Sequence, residues 1–443
     1  MHEPTPEDAA AARRVLEWSL ARLADRRSTY PATTPAAPLP ELTAEGIGVE
    51  AAVASLLGEI IPAARPADHP RYLAFIPGVP TVASVIADMA LPAAMIYGGS
   101  RMEAGAAVDA EDAVIRWLAD LVGFPPTAGG TFVSGGSIGN LSALVAARGD
   151  RVPAPPRQVI VGGASAHSSL AAAARIMGCA FVAARPADHH GRLDGATLVA
   201  ALEGHEPEDV VAVVATAGAT NTGAVDRLDE VAGVCRERGL WLHVDGAYGG
   251  GALLSPRRRP LFAGLEQADS VIVNQHKWLY TPFDCATVMY RDAAVARRVL
   301  TQHADYLDCV SADGDAGRNP SDLAIHLTRR PRGVPFWVSL QANGWRAYEE
   351  AVEQCFAIAG YAAGQVERSA SLELVLEPAL TVLLVRRRGW GPAEYDAWSA
   401  RALDDGIAFA TPTRHLGETV LRFCFLNPLT TRADVDLVLG DLS

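Results

Sequence analysis

Apolar positions change their spacing twice along the chain. Residues 7 to 26 repeat at helical intervals through Val15, Leu16, Leu20 and Leu23, and a second helical pattern covers 49 to 61. Between them "STYPATTPAAPLP" holds too much proline for regular helix. This N-terminal stretch has too little apolar surface for a core of its own and is expected to pack on something else, such as a partner subunit. From about 130 to 290, short apolar runs rich in β-branched residues alternate with alanine-rich helical stretches. "RQVIVGG" precedes a helix over 168–177 and "DVVAVVATAG" one over 227–238, while "GLWLHVDGAYGG" and "ADSVIVNQHK" end in polar residues. Continuous apolar strands between helices predict an α/β fold with a mostly parallel sheet covered on both faces. A long helix is expected over 336–366, then a smaller α/β unit with strands in "LELVLE", "ALTVLLVRR" and "TVLRFCFLN". The division read from these patterns is an N-terminal helical segment (1–66), a large domain (67–335) and a small C-terminal domain (336–443). The acidic segment "SADGDAGRNPSD" (311–322) reads as a loop or lid.

Composition narrows the class. Half of the 443 residues are hydrophobic (49%) and a fifth charged (20%), a globular balance. A net charge of −13 argues against binding a nucleic-acid backbone, and the one dense basic cluster, Arg257 to Arg259, lies between prolines as a solvated loop. Six cysteines are far apart with no CxxC pair, which suits neither a zinc site nor a disulfide framework, so no metal and a reducing compartment are expected. The first residues are acidic and polar where a signal peptide is basic and then apolar, and no apolar run reaches membrane-spanning length. The expectation is a cytoplasmic protein.

The chemistry-bearing residues fall at the carboxyl ends of the predicted strands, where open α/β sheets bind ligands. His167, Thr216, Asp245 and the Asn274, His276, Lys277 group all lie there. Lys277 is the only lysine; the other 37 of the 38 basic residues are arginines. An amine beside Trp278 and an apolar strand is pushed toward its neutral, nucleophilic form, which a guanidinium cannot reach. Asp245 ends the apolar run of "LHVDGAYGG" and either caps the next turn or meets a buried positive partner, for which a protonated pyridine nitrogen is a candidate. "TFVSGGSIGNLSALVAAR" joins a strand to a helix through Ser134-Gly135-Gly136-Ser137, a turn whose backbone N–H groups can surround a phosphate, though it matches neither Walker A nor GxGxxG. His167 could cap the next helix, fill the core or stack on a ring. Lysine, aspartate and phosphate cradle on one edge are the parts of a pyridoxal phosphate site.

With those residues in place, the chain resembles the group II pyridoxal-phosphate-dependent amino acid decarboxylases, the family of aromatic-L-amino-acid, glutamate and diaminobutyrate decarboxylases. The likeness runs over nearly the whole chain, in "HPRYLAFIPGVP", "SGGSIGNLSALVAAR", "SAHSS", "ATAGATNTGAVD", "WLHVDGAYGG", "NQHKWLYTPFDC", "LTRRPRGVPFW" and "LRFCFLNPLTT". It implies fold type I, a lyase of amino acid metabolism and a homodimer with shared active sites. It assigns the covalent cofactor link to Lys277, the pyridine nitrogen to Asp245, ring stacking to His167, and the ring's other face or hydroxyl to Thr216. Gly136, Ser137, Asn274 and His276 would hold the phosphate of pyridoxal 5′-phosphate, and Phe75, Ile76 and Pro77 would line the substrate pocket.

The implied reaction is decarboxylation of an L-amino acid to the amine and CO2, with Lys277, His167 and Asp245 as catalytic residues. One departure bears on it. Relatives that act on aromatic amino acids or glutamate usually carry a loop tyrosine that protonates Cα, whereas here the slot near Arg318 to Pro320 has none. Tyr306 or His167 could substitute. Without a donor, oxygen could intercept the carbanion, so an oxidative deaminase that releases aldehyde is the alternative reading. An aminotransferase, with Arg422 clasping the substrate carboxylate, and a non-catalytic cofactor-binding protein are further alternatives. The apolar stretch at Phe75 tilts the substrate toward an aromatic or aliphatic amino acid, and Arg101, if it reached a partner's site, would reverse that.

Overall fold

The computed structural model describes residues 2–27, 39–76, 78–149, 157–304 and 319–443. Pro77, Tyr306, Cys309, Arg318 and most of the 311–322 segment lie outside the described residues.

Seven strands build the large sheet: β1 (Gly129–Val133), β2 (Val159–Gly163), β3 (Ala180–Ala184), β4 (Val210–Thr216), β5 (Leu242–Asp245), β6 (Ser270–Val273) and β7 (Ala286–Tyr290). Their order is β1-β7-β6-β5-β4-β2-β3. The neighbours from β3 to β6 are parallel, while β7 is antiparallel to both β6 and β1. β1 therefore points the same way as the parallel set, and β7 alone is reversed. All seven residues of β4 are buried, as a strand covered on both faces requires. The apolar pattern does not single out β3 or β7.

The expected helices over 168–177 and 227–238 appear as Ser168–Met177 and Leu228–Arg238. Helix Gly136–Arg148 follows β1 directly and sits close on the sheet, because a Cβ at Gly139 would come within 2.1 Å of Ile272 Cδ1. The long helix runs Val334–Arg368, interrupted at Gly344, where φ is 72°. Its Phe336, Tyr348, Val352 and Phe356 join the core under the large sheet, and its Ile358, Ala359, Ala362 and Val366 join a second core. That second core lies under an antiparallel sheet of order β10-β11-β9-β8, formed by β8 (Leu372–Leu374), β9 (Val382–Arg387), β10 (Thr411–His415) and β11 (Glu418–Cys424). One helix thus serves both cores. Tyr248 adds a polar tie between the sheets: its hydroxyl receives the backbone N–H of Thr381 at 2.9 Å and lies 2.7 Å from Thr381 Oγ1.

At the N-terminus, helix Pro6–Ala24 starts with a capping box at Thr5 and Asp8 and leaves Leu16 and Leu20 exposed. Among the described residues no helix is long and apolar enough to cross a membrane.

The most deeply sunk ion pair joins helix Arg101–Val122 to the entry of the long helix. Arg329 Nη2 donates to Glu111 Oε1 at 2.6 Å, with side chains 0% and 2% exposed, and the same oxygen receives the Gly333 N–H at 2.8 Å. Replacing Glu111 by alanine leaves Arg329 buried without its counter-ion, so urea unfolding is expected to show a loss of about 3–5 kcal/mol. An unchanged midpoint would contradict that assignment.

Candidate active site

Because β1, β2, β4, β5 and β6 all point one way, their carboxyl ends gather Gly135–Gly136, His167, Thr216, Asp245 and Asn274–Lys277 on one edge. There they surround a cavity of about 270 Å³, lined also by Ser137, Asn140, Gly218, Thr220, Ala247 and Tyr248. All eight residues that the sequence assigns to a cofactor line this single cavity.

Lys277 reaches the cavity from just beyond β6, and Gly78 packs against its backbone so tightly that a Cβ there would sit 1.7 Å from the Lys277 carbonyl oxygen. Burial lowers the pKa of its amine, and the Asp245 carboxylate on the neighbouring strand partly holds it up. Asp245 Oδ2 accepts from Asn140 Nδ2 at 2.9 Å, and its Oδ1 accepts from the Ala247 N–H at 3.1 Å. His167 caps helix Ser168–Met177, its Nδ1 accepting the Ser169 N–H at 3.2 Å, so the hydrogen of the neutral ring is on Nε2. His276 Nδ1 accepts the Cys285 N–H at 3.0 Å, so its other nitrogen carries the hydrogen and turns it toward the Asn274 side-chain amide, 3.1 Å away. Burial pushes His276 down to about 4 and keeps it neutral near pH 7.

Two of the residues expected at the substrate pocket are not part of this cavity. Ile76 is packed in the main core, and neither it nor Phe75 lines this cavity. Phe75 is instead 58% exposed, with φ at 52° and its ring 6.0 Å from that of Phe409. An apolar residue beside a motif looks the same in sequence whether it faces a core or a pocket. Arg101 is already paired within its own chain, with Asp109 at 2.5 Å and with Asp112. Arg422 points inward: its Nε donates to Thr220 O at 2.7 Å and its Nη1 to Phe75 O at 3.0 Å, while Nη2 is buried with no hydrogen-bond partner among the described residues.

Asn140 and Asp226 carry no assignment in the sequence reading. Asn140 lies one turn beyond Ser137 on the same helix, a spacing that puts both on one face. Asp226 accepts the backbone N–H of Thr216 at 2.7 Å and of Leu193 at 2.8 Å, which pins the end of β4; its burial raises it to about 7.

The cavity suits a phosphorylated aromatic cofactor. Thr216 Oγ1 is buried there with no hydrogen-bond partner among the described residues, and helix Gly136–Arg148 begins without a side-chain cap, leaving its first N–H groups for an anion. A Cβ at Gly136 would stand 3.3 Å from Asn274 Oδ1 and crowd that cradle. Among the described residues no group of His, Cys, Asp or Glu is arranged to hold a metal ion.

A parallel sheet presenting an amine, a buried carboxylate and an anion cradle defines an enzyme that works through a carbonyl cofactor. The chain belongs to the pyridoxal-dependent decarboxylase family, whose conserved domain matches residues 55–387. It is 33% identical over 410 residues to an L-2,4-diaminobutyrate decarboxylase of Rhizobium meliloti (strain 1021), covering 89% of this chain and 81% of that protein. An aromatic-L-amino-acid decarboxylase of Bacillus atrophaeus is 29% identical over 384 residues, covering 83% of this chain and 79% of its own. Among solved structures, Catharanthus roseus tryptophan decarboxylase in complex with L-tryptophan superposes with a TM-score of 0.89 at 21% identity, over 100% of this chain and 98% of that one. Rhodiola rosea 4-hydroxyphenylacetaldehyde synthase gives 0.85 at 20% identity, over 99% and 97%. Both share the fold. The cofactor is pyridoxal 5′-phosphate, and the reaction is decarboxylation of an L-amino acid to the amine and CO2.

His243, His276 and His326 are each pushed by burial to about 4. The unfolded chain takes up protons below about pH 6.5, which the folded chain refuses until about pH 4. The stability these rings contribute is present above that window and is lost as pH falls through it. Urea midpoints measured across the window are expected to fall with pH, less steeply in His326→Asn; equal slopes in variant and parent would count against it.

Proposed function

We propose that the substrate is an amino acid with an aromatic or aliphatic side chain, decarboxylated in a homodimer whose sites are shared and which works in the cytoplasm. The observation that carries the assignment of roles is the gathering of the only lysine, a buried aspartate and a glycine-led helix start around one cavity. Lys277 carries the cofactor covalently, Gly136, Ser137, Asn274 and His276 receive its phosphate, and His167 and Thr216 flank the ring. When bound, the cofactor supplies the electron sink into which the electrons of the breaking Cα–carboxylate bond pass. Asp245 sustains that sink by keeping the pyridine nitrogen protonated. The apolar side chain is supported by Phe75, exposed beside Phe409, and by Arg101, which is already paired with two aspartates of its own chain and so not free for an acidic substrate.

Support for a dimer comes from apolar side chains left in water: Val82, Ile86 and Met89 on helix Val82–Ala94, with Met95 and Met102 nearby.

A second reading has its own observation. Of the loop-tyrosine slot, Asn319 and Pro320 are buried, and Asn319 Oδ1 is engaged by the Arg101 N–H at 3.0 Å, so neither supplies a proton to Cα. His167 Nε2–H is the donor in the first reading; interception by oxygen, giving aldehyde and peroxide, is the second. Supplying the proteinogenic amino acids under air and measuring CO2, amine, aldehyde and peroxide separates them. Amine matching CO2 is the expected result, and aldehyde with peroxide in its place would overturn it. In Asp245→Ala, turnover is expected to fall by about 10²-fold or more; near-normal turnover would refute the role given to that carboxylate.

A further inference from the structure

Behind Asp245 the buried polar groups form one directed chain. In β5, His243 and Asp245 stand two residues apart and so share a face, which helix Gly136–Arg148 covers. Asn140 on that helix sends one Nδ2–H to Asp245 Oδ2 at 2.9 Å and the other to Ser169 Oγ at 3.1 Å. Its Oδ1 lies 2.9 Å from His243 Nε2. His243 Nδ1 lies 2.9 Å from the hydroxyl of Ser270, its register neighbour on β6, and Trp241 Nε1 donates to that hydroxyl at 3.0 Å. His243 and Ser270 are 0% exposed and Asn140 1%, so water does not compete for these bonds.

Each link fixes the next. An ionised Asp245 only accepts, so the Asn140 amide turns its NH2 toward Asp245 and its oxygen toward His243. That oxygen also only accepts, which puts the ring hydrogen of His243 on Nε2. Burial pushes His243 down to about 4, so the ring is neutral and its bare Nδ1 takes the Ser270 hydrogen. The Trp241 indole, which can only donate, closes the far end. On the branch, the Ser169 hydroxyl receives from Asn140 and gives its hydrogen to His167 Nδ1 at 2.8 Å. A histidine held only for packing would not need donors and acceptors matched in sequence over four residues.

We propose that His243 is a positioning residue of the active site, which through Asn140 holds Asp245 as a pure acceptor for the pyridine nitrogen. The proposal rests on the reading that Asp245 meets that nitrogen. Only Asn140, Asp245 and His167 reach the cavity; His243, Ser270 and Trp241 act through them.

The test uses the holoenzyme with no amino acid present, labelled with nitrogen-15 in its histidine rings. His243 is expected as a single neutral ring with its hydrogen on Nε2; a hydrogen on Nδ1, or on both nitrogens, overturns the proposal. Ser270→Ala removes the donor to Nδ1 and is expected to shift that nitrogen's resonance while the hydrogen stays on Nε2 against Asn140 Oδ1; appearance of the second tautomer, or an unchanged spectrum, counts against it. Affinity for pyridoxal 5′-phosphate is then compared in two variants. His243→Leu is expected to weaken it about tenfold or more, and His243→Gln, whose amide N–H can reach Asn140 Oδ1, to recover most of it. Equal losses in both variants, or none in either, would sink the idea. If His243→Leu does not fold, the Ser270→Ala spectrum decides. Failure to release CO2 from any amino acid would defeat the substrate reading while leaving these measurements standing, so the two failures are distinguishable.

Discussion

A carboxylate sunk at the end of a central strand holds its place only if each of its oxygens is met by a donor or a positive charge. Asp245 is that group here, and the site is arranged around the requirement. One oxygen is met by the following turn and the other by Asn140 from the covering helix. What remains is negative charge facing a cavity, one strand from an amine that burial has made less basic. Lowered basicity and a neighbouring carboxylate pull the lysine in opposite directions, and burial is the larger effect. The amine is thereby prepared for covalent chemistry, and the carboxylate is left for a cation of the right shape.

Most of this was legible before any coordinates. Strands buried on both faces show as continuous apolar runs, and polar residues at their ends mark the ligand edge without knowledge of strand order. Lys277 stood out because no other lysine dilutes it. The reversed β7 was not legible, since a buried antiparallel strand presents the same apolar run as a parallel one. The division between the two cores was blurred for a related reason: helix Val334–Arg368 has one continuous pattern, and only three-dimensional packing shows it serving two sheets. Ile76 and Arg422 were ambiguous in opposite senses. An isoleucine next to a motif satisfies core and pocket alike, and Arg422 on an alternating strand was directed inward by the carbonyls of Thr220 and Phe75, which lie far away in sequence. Asn140 was overlooked although its position one turn after Ser137 carried the signal.

Family membership fixes the cofactor and the reaction type, and the details of this chain refine them. Its single lysine leaves no second side-chain amine that could stand in for Lys277. Of the slot that the resemblance to aromatic and glutamate decarboxylases gives to a proton-donating tyrosine, Asn319 here holds the start of helix Arg101–Val122 and Pro320 is buried. Of the two candidates for supplying the proton, Tyr306 lies outside the described residues, and His167 has its tautomer set by a backbone N–H.

The most direct measurement is chemical. Reducing the cofactor-saturated protein with borohydride, digesting it and mapping the modified peptide locates the amine that holds the cofactor. The pyridoxyl mass should appear on the peptide containing Lys277 and vanish in Lys277→Ala. Fully loaded protein that yields this peptide unmodified would contradict the assignment of the site, and with it the roles given to Asp245 and His167.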